Sequence, residues 1–137
     1  GGATSSAAAD ISPEEYSRVA SITIDGLQQV YEDFGDDAPE HQLDVESTGD
    51  VLNVSIGTRG TFVINKQSPN KQLWLSSPVT GPFRYDYCAS TASWINSRDH
   101  HPLLTILADD FQALVGERLS FESVADALRE GREDTDY

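Results

Sequence analysis

Residues 51–87 read VLNVSIGTRGTFVINKQSPNKQLWLSSPVTGPFRYDY, and the apolar positions recur at every second residue. Leu52, Val54 and Ile56 alternate with Asn53 and Ser55, then Phe62 and Ile64 with Thr61, Val63 and Asn65. Leu73 and Leu75 alternate with Gln72, Trp74 and Ser76, and Phe83, Tyr85 and Tyr87 with Arg84 and Asp86. A period of two sends successive side chains to opposite faces, so each run predicts a strand with one covered face. Turn formers separate the runs: Gly57 and Gly60, then Ser68-Pro69-Asn70, then Pro78 and Gly81-Pro82. Such short connections predict an antiparallel meander. Leu43–Ser47 joins it ahead of the Gly49-Asp50 turn, and Trp94-Ile95 adds one more short strand.

Outward from the meander the period changes to that of a helix. Ser12-Pro13-Glu14-Glu15 has the form of a capping box, with Ser12 accepting from the Glu15 amide and Pro13 in the first helical position. Tyr16, Ala20, Thr23, Leu27, Val30 and Phe34 then form one stripe flanked by Val19, Ile24 and Tyr31, and Gly35 is the expected stop. Glu14, Asp25 and Glu32 fall on the opposite side, Glu15 and Asp33 on one flank, and Asp36, Asp37 and Glu40 extend the acidic run. A second helix is predicted after Pro102, burying Leu103, Leu104, Leu107, Phe111 and Leu114 and ending at Gly116. In the extension 117–137, Ser120 caps a short predicted helix, with Leu119 and Val124 as its staple, Leu128 on the same edge and Gly131 as its stop. Residues 1–11 read as a flexible tail. Helix, meander, helix gives an α+β two-layer sandwich over residues 12–116, with two helices packed on one face of an antiparallel sheet.

The length of 137 residues fits one domain. Nine Lys and Arg against twenty-three Asp and Glu give a net charge of −14, which repels phosphate backbones and anionic headgroups. Nucleic acid and membrane are therefore excluded as expected partners, and cations or basic protein surfaces are favoured. The charge is segregated: residues 1–50 hold twelve acids against Arg18, whereas residues 51–100 hold five bases against Asp86 and Asp99. A single Cys88 excludes an internal disulfide and a multi-cysteine zinc site. No apolar run approaches the length of a membrane span, and the opening lacks the regions of a signal peptide. The chain reads as a mature soluble protein or a trimmed form of one.

If the helices cover the Phe62, Ile64, Leu73 and Leu75 face, parity puts Asn65, Gln67, Gln72, Trp74 and Arg84 on the other. A Trp among amides and a guanidinium has the composition of a protein interface; a Trp that merely shields its neighbours fits the pattern equally well. The acidic helix face reads either as a solvated surface or as a field for oxygen-seeking cations such as Fe²⁺, Mn²⁺, Mg²⁺ or Ca²⁺. No EF-hand loop or Glu-x-x-His pair supplies a cage, so a site there is expected to be open, shallow and weak. His41, beside Glu40 and near Asp44, is a candidate auxiliary ligand. Asp99-His100-His101 reads as a polar loop, because neighbouring side chains diverge. Cys88 carries no nucleophile signature, and Arg59, Lys66 and Lys71 suit an acidic patch on a protein partner.

The stretches GTFVINKQ (60–67) and SPNKQLWLSSP (68–78) closely resemble the signature of the frataxin family in its eukaryotic form. The resemblance continues through Gly81-Pro82 and Arg84-Tyr85-Asp86, with the acidic first helix, Trp94 and the 103–111 helix in matching order, and it covers roughly residues 12–116. Phe83 stands where Lys is common and Tyr87 where Trp is common, changes expected to weaken a contact at most. The resemblance implies a mitochondrial matrix protein that binds iron (Fe²⁺/Fe³⁺) weakly and accelerates sulfur transfer from a cysteine desulfurase to the iron–sulfur scaffold protein. It implies an acidic ridge carrying the metal on Asp25, Glu32, Asp33, Asp36, Asp37, Asp44 and Glu46. It also implies a partner-binding sheet face on Asn65, Gln67, Gln72, Trp74 and Arg84, and a monomer with iron-driven oligomers. In this reading no residue need perform bond chemistry. The alternative is a ferroxidase acting on Asp33, Asp36 or Asp37, with iron storage by oligomerisation; catalytic oxidation usually needs two closely held metals, which one helix holds poorly.

Overall fold

Ser12 Oγ accepts from the Glu15 amide at 3.0 Å, so the first helix begins where its capping box predicts. The computed structural model describes residues 11–134. In it α1 spans Pro13–Asp37 and buries Tyr16, Val19, Ala20, Thr23, Ile24, Leu27 and Tyr31, while Val30 and Phe34 are half-buried. The helix does not stop at Gly35. It continues to Asp37, and the Ala38 amide closes it on the Phe34 carbonyl at 2.9 Å. Gly35 serves a close approach instead: a Cβ there would lie 3.3 Å from Cβ of Leu43, on the strand packed beside the helix. The expected tail falls outside the described residues except for Ile11, which is buried and accepts from Lys71 Nζ at 2.7 Å.

The strands are β1 (Leu43–Ser47), β2 (Val51–Ile56), β3 (Thr61–Gln67), β4 (Gln72–Ser76), β5 (Phe83–Cys88) and β6 (Ser93–Asn96). They pair in chain order, all antiparallel, which makes the expected meander a six-stranded sheet with β1 and β6 at its edges. Leu52, Val54, Ile56, Phe62, Ile64, Leu73, Leu75, Tyr85 and Tyr87 are all buried, as alternation requires for one covered face. Trp94 joins them, its indole N–H donating to Thr23 Oγ1 at 2.8 Å, and that hydroxyl donates to the Val19 carbonyl. Tyr87 rests edge-on against Trp94 with centroids 5.1 Å apart, so the departure at this position lies in the core.

Helix α2 spans Leu103–Val115 and ends at Gly116 in the left-handed conformation (φ 90°). Leu103, Leu107 and Phe111 are buried; Leu104 and Leu114 are half-buried, and Ala108 and Asp110 occupy inward positions instead. A third helix, α3, spans Glu122–Asp134, running through Gly131 rather than stopping there, and Ser120 Oγ accepts from the Glu122 amide at 3.3 Å. Phe121, Val124 and Leu128 enter the main core. Gly26 of α1 permits this packing, because a Cβ there would lie 3.0 Å from Val124 Cγ2. The helical layer over the sheet therefore has three members, not two. Among the described residues no helix is long and apolar enough to cross a membrane.

Candidate functional site

The open face of the sheet follows from the register. Val51, Asn65, Trp74 and Arg84 stand side by side across β2 to β5, and Gln67, Gln72, Asp86 and Ile95 form the adjacent row. All five residues expected on this face are thus brought together. Trp74 is half-buried by its own neighbours: its indole N–H donates to Gln72 Oε1 at 2.8 Å, and the Arg84 guanidinium lies 4.5 Å over its ring. Gln72 Nε2 in turn donates to Asp86 Oδ1 at 3.0 Å. Indole can only donate and carboxylate only accept, so the Gln72 amide has one consistent orientation. Beside the indole opens a groove of about 400 Å³ lined by Val63, Asn65, Trp74, Ser76, Pro82 and Phe83.

The loop bordering this groove is tied down from below. Asp110, 3% exposed, accepts from the Ser77 hydroxyl at 2.7 Å and from the Thr80 hydroxyl, and Ser77 Oγ accepts from the amides of Val79 and Thr80. Sequence reasoning passed over Asp110, because an acid on an amphipathic helix reads as solvated. Its spacing from Leu103, Leu107 and Phe111 was the available signal. Next to the groove, Phe83 meets the His101 ring edge-on at 4.6 Å. His101 is bonded to Tyr85 Oη through Nε2 at 2.6 Å and to Asp99 Oδ1 through Nδ1 at 2.7 Å. Asp99 and His101, two positions apart, do converge, because His100 between them adopts positive φ (66°). The His101 amide and ring hold the Asp99 carboxyl below its ordinary range. Burial pushes the Tyr85 phenol upward, with the Asp99 and Asp110 charges adding to the shift.

Of the seven acids of the expected ridge, five lie on α1 and two on β1, and Glu32 and Asp36 border Leu43 and Val45. Asp25, Asp33, Asp36 and Asp37 are exposed on α1 and Glu32 is half-buried; Asp44 and Glu46 are exposed on β1. Gln28 donates to Glu32 at 3.1 Å and Gln29 to Asp33 at 2.9 Å. Among the described residues none of the seven forms an ion pair. Parity divides them: Leu43 and Val45 face α1, so Asp44 and Glu46 share the open face with Trp74 while the others project from the helical layer. Glu46 pairs across to Asn53, then Val63, then Ser76, so the edge acids and the groove belong to one surface.

Among the described residues, one set of three potential metal ligands lies with all ligand atoms within 4.8 Å of one another, and it is Glu40, His41 and Glu117 rather than any ridge trio. His41 does not turn to Asp44 but to Glu117, Nε2 to Oε2 at 3.0 Å. A pairing across seventy-six positions leaves no trace in local sequence. Cys88 is half-buried at the end of β5. Burial works to raise its thiol, but hydrogen bonds with Ser90 and Thr91 outweigh that and leave it lowered.

These features define a class: an α+β sandwich whose helices cover one sheet face and leave the other open, with a tryptophan at its centre and acids along one edge. Comparison with known proteins places it further. The family model described as "Frataxin-like domain" matches residues 9–117, and the chain belongs to the frataxin family. It is 38% identical over 112 residues to a mitochondrial frataxin homolog of Schizosaccharomyces pombe, covering 82% of this chain and 71% of that protein. It is also 38% identical over 104 residues to mitochondrial frataxin of Arabidopsis thaliana, covering 76% of this chain and 56% of that protein. The match therefore spans between about half and three-quarters of these relatives. Among solved structures, yeast frataxin superposes with a TM-score of 0.66 at 35% identity, covering 75% of this chain and 82% of that one. A trimeric frataxin of Saccharomyces cerevisiae complexed with ferrous iron gives 0.63 at 34% identity, covering 72% and 87%.

Proposed function

We propose that this protein is an iron-binding regulator of mitochondrial iron–sulfur cluster assembly, whose open sheet face seats against a cysteine desulfurase–scaffold complex and stimulates sulfur transfer. The observation that carries the reading is Trp74. It sits outward on an uncovered face, its ring pinned by the Gln72 amide and the Arg84 guanidinium, so little side-chain freedom is left to lose when a partner covers it. Asn65, Gln67, Gln72 and Arg84 supply polar groups around that anchor. Family membership, the mitochondrial names of the relatives and the ferrous complex of the yeast protein support the same reading.

Iron in this scheme is held weakly by Asp25, Glu32, Asp33, Asp36, Asp37, Asp44 and Glu46. Their carboxylate oxygens are the donors Fe²⁺ accepts, and without ion-pair partners they are available to it. A bound Fe²⁺ supplies positive charge and, as cargo, the metal of the cluster. No trio of these seven converges to within 4.8 Å among the described residues, which favours loose holding over paired-metal ferroxidase chemistry. The deciding experiment is the desulfurase rate in the presence of scaffold, with and without this protein. Stimulation is expected for the native chain and loss of most of it for Trp74→Ala; an unchanged rate on adding the native protein overturns the proposal.

A further inference from the structure

The turns that follow α1 and α2 meet at the Glu40, His41 and Glu117 cluster, and both are the C-terminal ends of helices. Unpaired carbonyls give such ends partial negative charge, which calls for a cation. Neither helix carries a basic residue in its last turn. Arg59 reaches in from the β2–β3 turn, donating through Nη1 to the Leu114 carbonyl at 3.3 Å and through Nη2 to His41 Nδ1 at 3.1 Å. The exposed guanidinium is thus held by one helix end and by the imidazole that stands between the two carboxylates' cluster and Arg59.

We propose that Glu40, His41 and Glu117 form a binding site for a divalent transition ion of the Zn²⁺ type, distinct from the acidic ridge and closed by Arg59. An imidazole with two carboxylates is a donor set that Zn²⁺ accepts and that Mg²⁺ and Ca²⁺, which take oxygen, do not select. The three ligands leave a fourth position for water. The His41 side chain is 16% exposed and its ring stacks on Phe34 with centroids 5.7 Å apart and planes 25° from parallel, so the imidazole is already oriented.

Arg59 decides access through the tautomer. A guanidinium only donates, so His41 Nδ1 accepts from it and Nε2 carries the proton given to Glu117. An ion on Nε2 needs the proton moved to Nδ1. The charge of the ring is unchanged by that shift, but Arg59 has lost its acceptor and must swing toward solvent, keeping only its bond to Leu114. Removing the guanidinium removes both this competition and the like-charge repulsion on the metal.

The test is titration of the full chain with Zn²⁺, following the His41 imidazole resonances by NMR and the affinity by calorimetry. The His41 signals are expected to shift first. Glu117→Gln, a change on an exposed side chain, should weaken binding about tenfold or more, and Arg59→Gln, whose amide oxygen can accept from Nδ1–H, should strengthen it severalfold. With Asp33→Asn and Asp36→Asn together, the His41 imidazole resonances should still shift first. Melting curves of each variant confirm that the fold is retained. Zn²⁺ shifts confined to the Asp33 and Asp36 amides, native-like binding by Glu117→Gln, or no gain from Arg59→Gln overturns the inference, and none of these results bears on desulfurase stimulation.

Discussion

Leu73 and Trp74 are chain neighbours with opposite surroundings, one fully buried under the helices and the other on the open face. Leu73→Ala should cost about 2–5 kcal/mol of stability through the cavity it leaves, with the loss read in chemical denaturation. Trp74→Ala should melt as the native protein does yet lose most of its stimulation, since interface Trp anchors contribute about 2 kcal/mol or more, roughly thirtyfold in affinity. An early-melting Trp74→Ala that stimulates normally would refute the surface role. Tyr31 offers a different kind of test. Its hydroxyl is buried with no hydrogen-bond partner among the described residues, and its ring packs against those of Phe62, Phe111 and Phe121. Tyr31→Phe should therefore stabilise the fold by about 1 kcal/mol. Burial, the largest cause in each case, raises the phenols of Tyr16, Tyr31 and Tyr85 above the ordinary value of 10.0. Their contribution to stability is complete below pH 10 and falls above it, because the unfolded chain then releases protons that the folded one retains. Alkaline titration should show phenolate absorbance from these residues arriving together with loss of helix.

At the scale of elements, α3 is the one whose importance is least expected from its place in the chain. Leu128 is 2% exposed, and Leu128→Ala should cost about 2–5 kcal/mol; truncation after Gly116 should lower the melting temperature much further. An unchanged melt would mean that the helix contributes nothing to the core. The six strands and α1 were legible because period-two and period-3.6 patterns run long enough there to be unambiguous, and the Ser12 box gave one boundary outright. Of the three helix ends expected at glycine, the one at Gly116 holds and the other two do not. Gly35 and Gly131 look like stops, but the helices continue through both, and the first lets Leu43 come close. Phe121 was missed as a core residue because one aromatic in a polar segment sets no period. The open-face residues could be placed by parity alone. The Glu40–His41–Glu117 cluster and the Asp110 anchor could not, since each joins distant segments that only the folded chain brings together.

At the scale of the molecule, a net charge of −14 and seven ridge carboxylates without ion-pair partners among the described residues make self-repulsion the main electrostatic term. Raising monovalent salt from low ionic strength should raise the melting temperature, while Fe²⁺ binding, of micromolar strength or weaker, should fall over the same range. Amide shifts with Fe²⁺ confined to β3 and β4, with none between Asp25 and Glu46, would move the iron away from the ridge. The packing of α3 against α1 reaches beyond equilibrium, to the order in which the chain is made. Phe121 touches Tyr31, and Val124 closes on Gly26, so the core lacks a wall until both have left the ribosome. At about 5–20 residues per second, the segment from Gly116 to Asp134 takes roughly 1–4 s to synthesise. During that interval the aromatic cluster around Tyr31 stays open on one side, and a chain halted or clipped before α3 offers it to the first chaperone or protease that arrives.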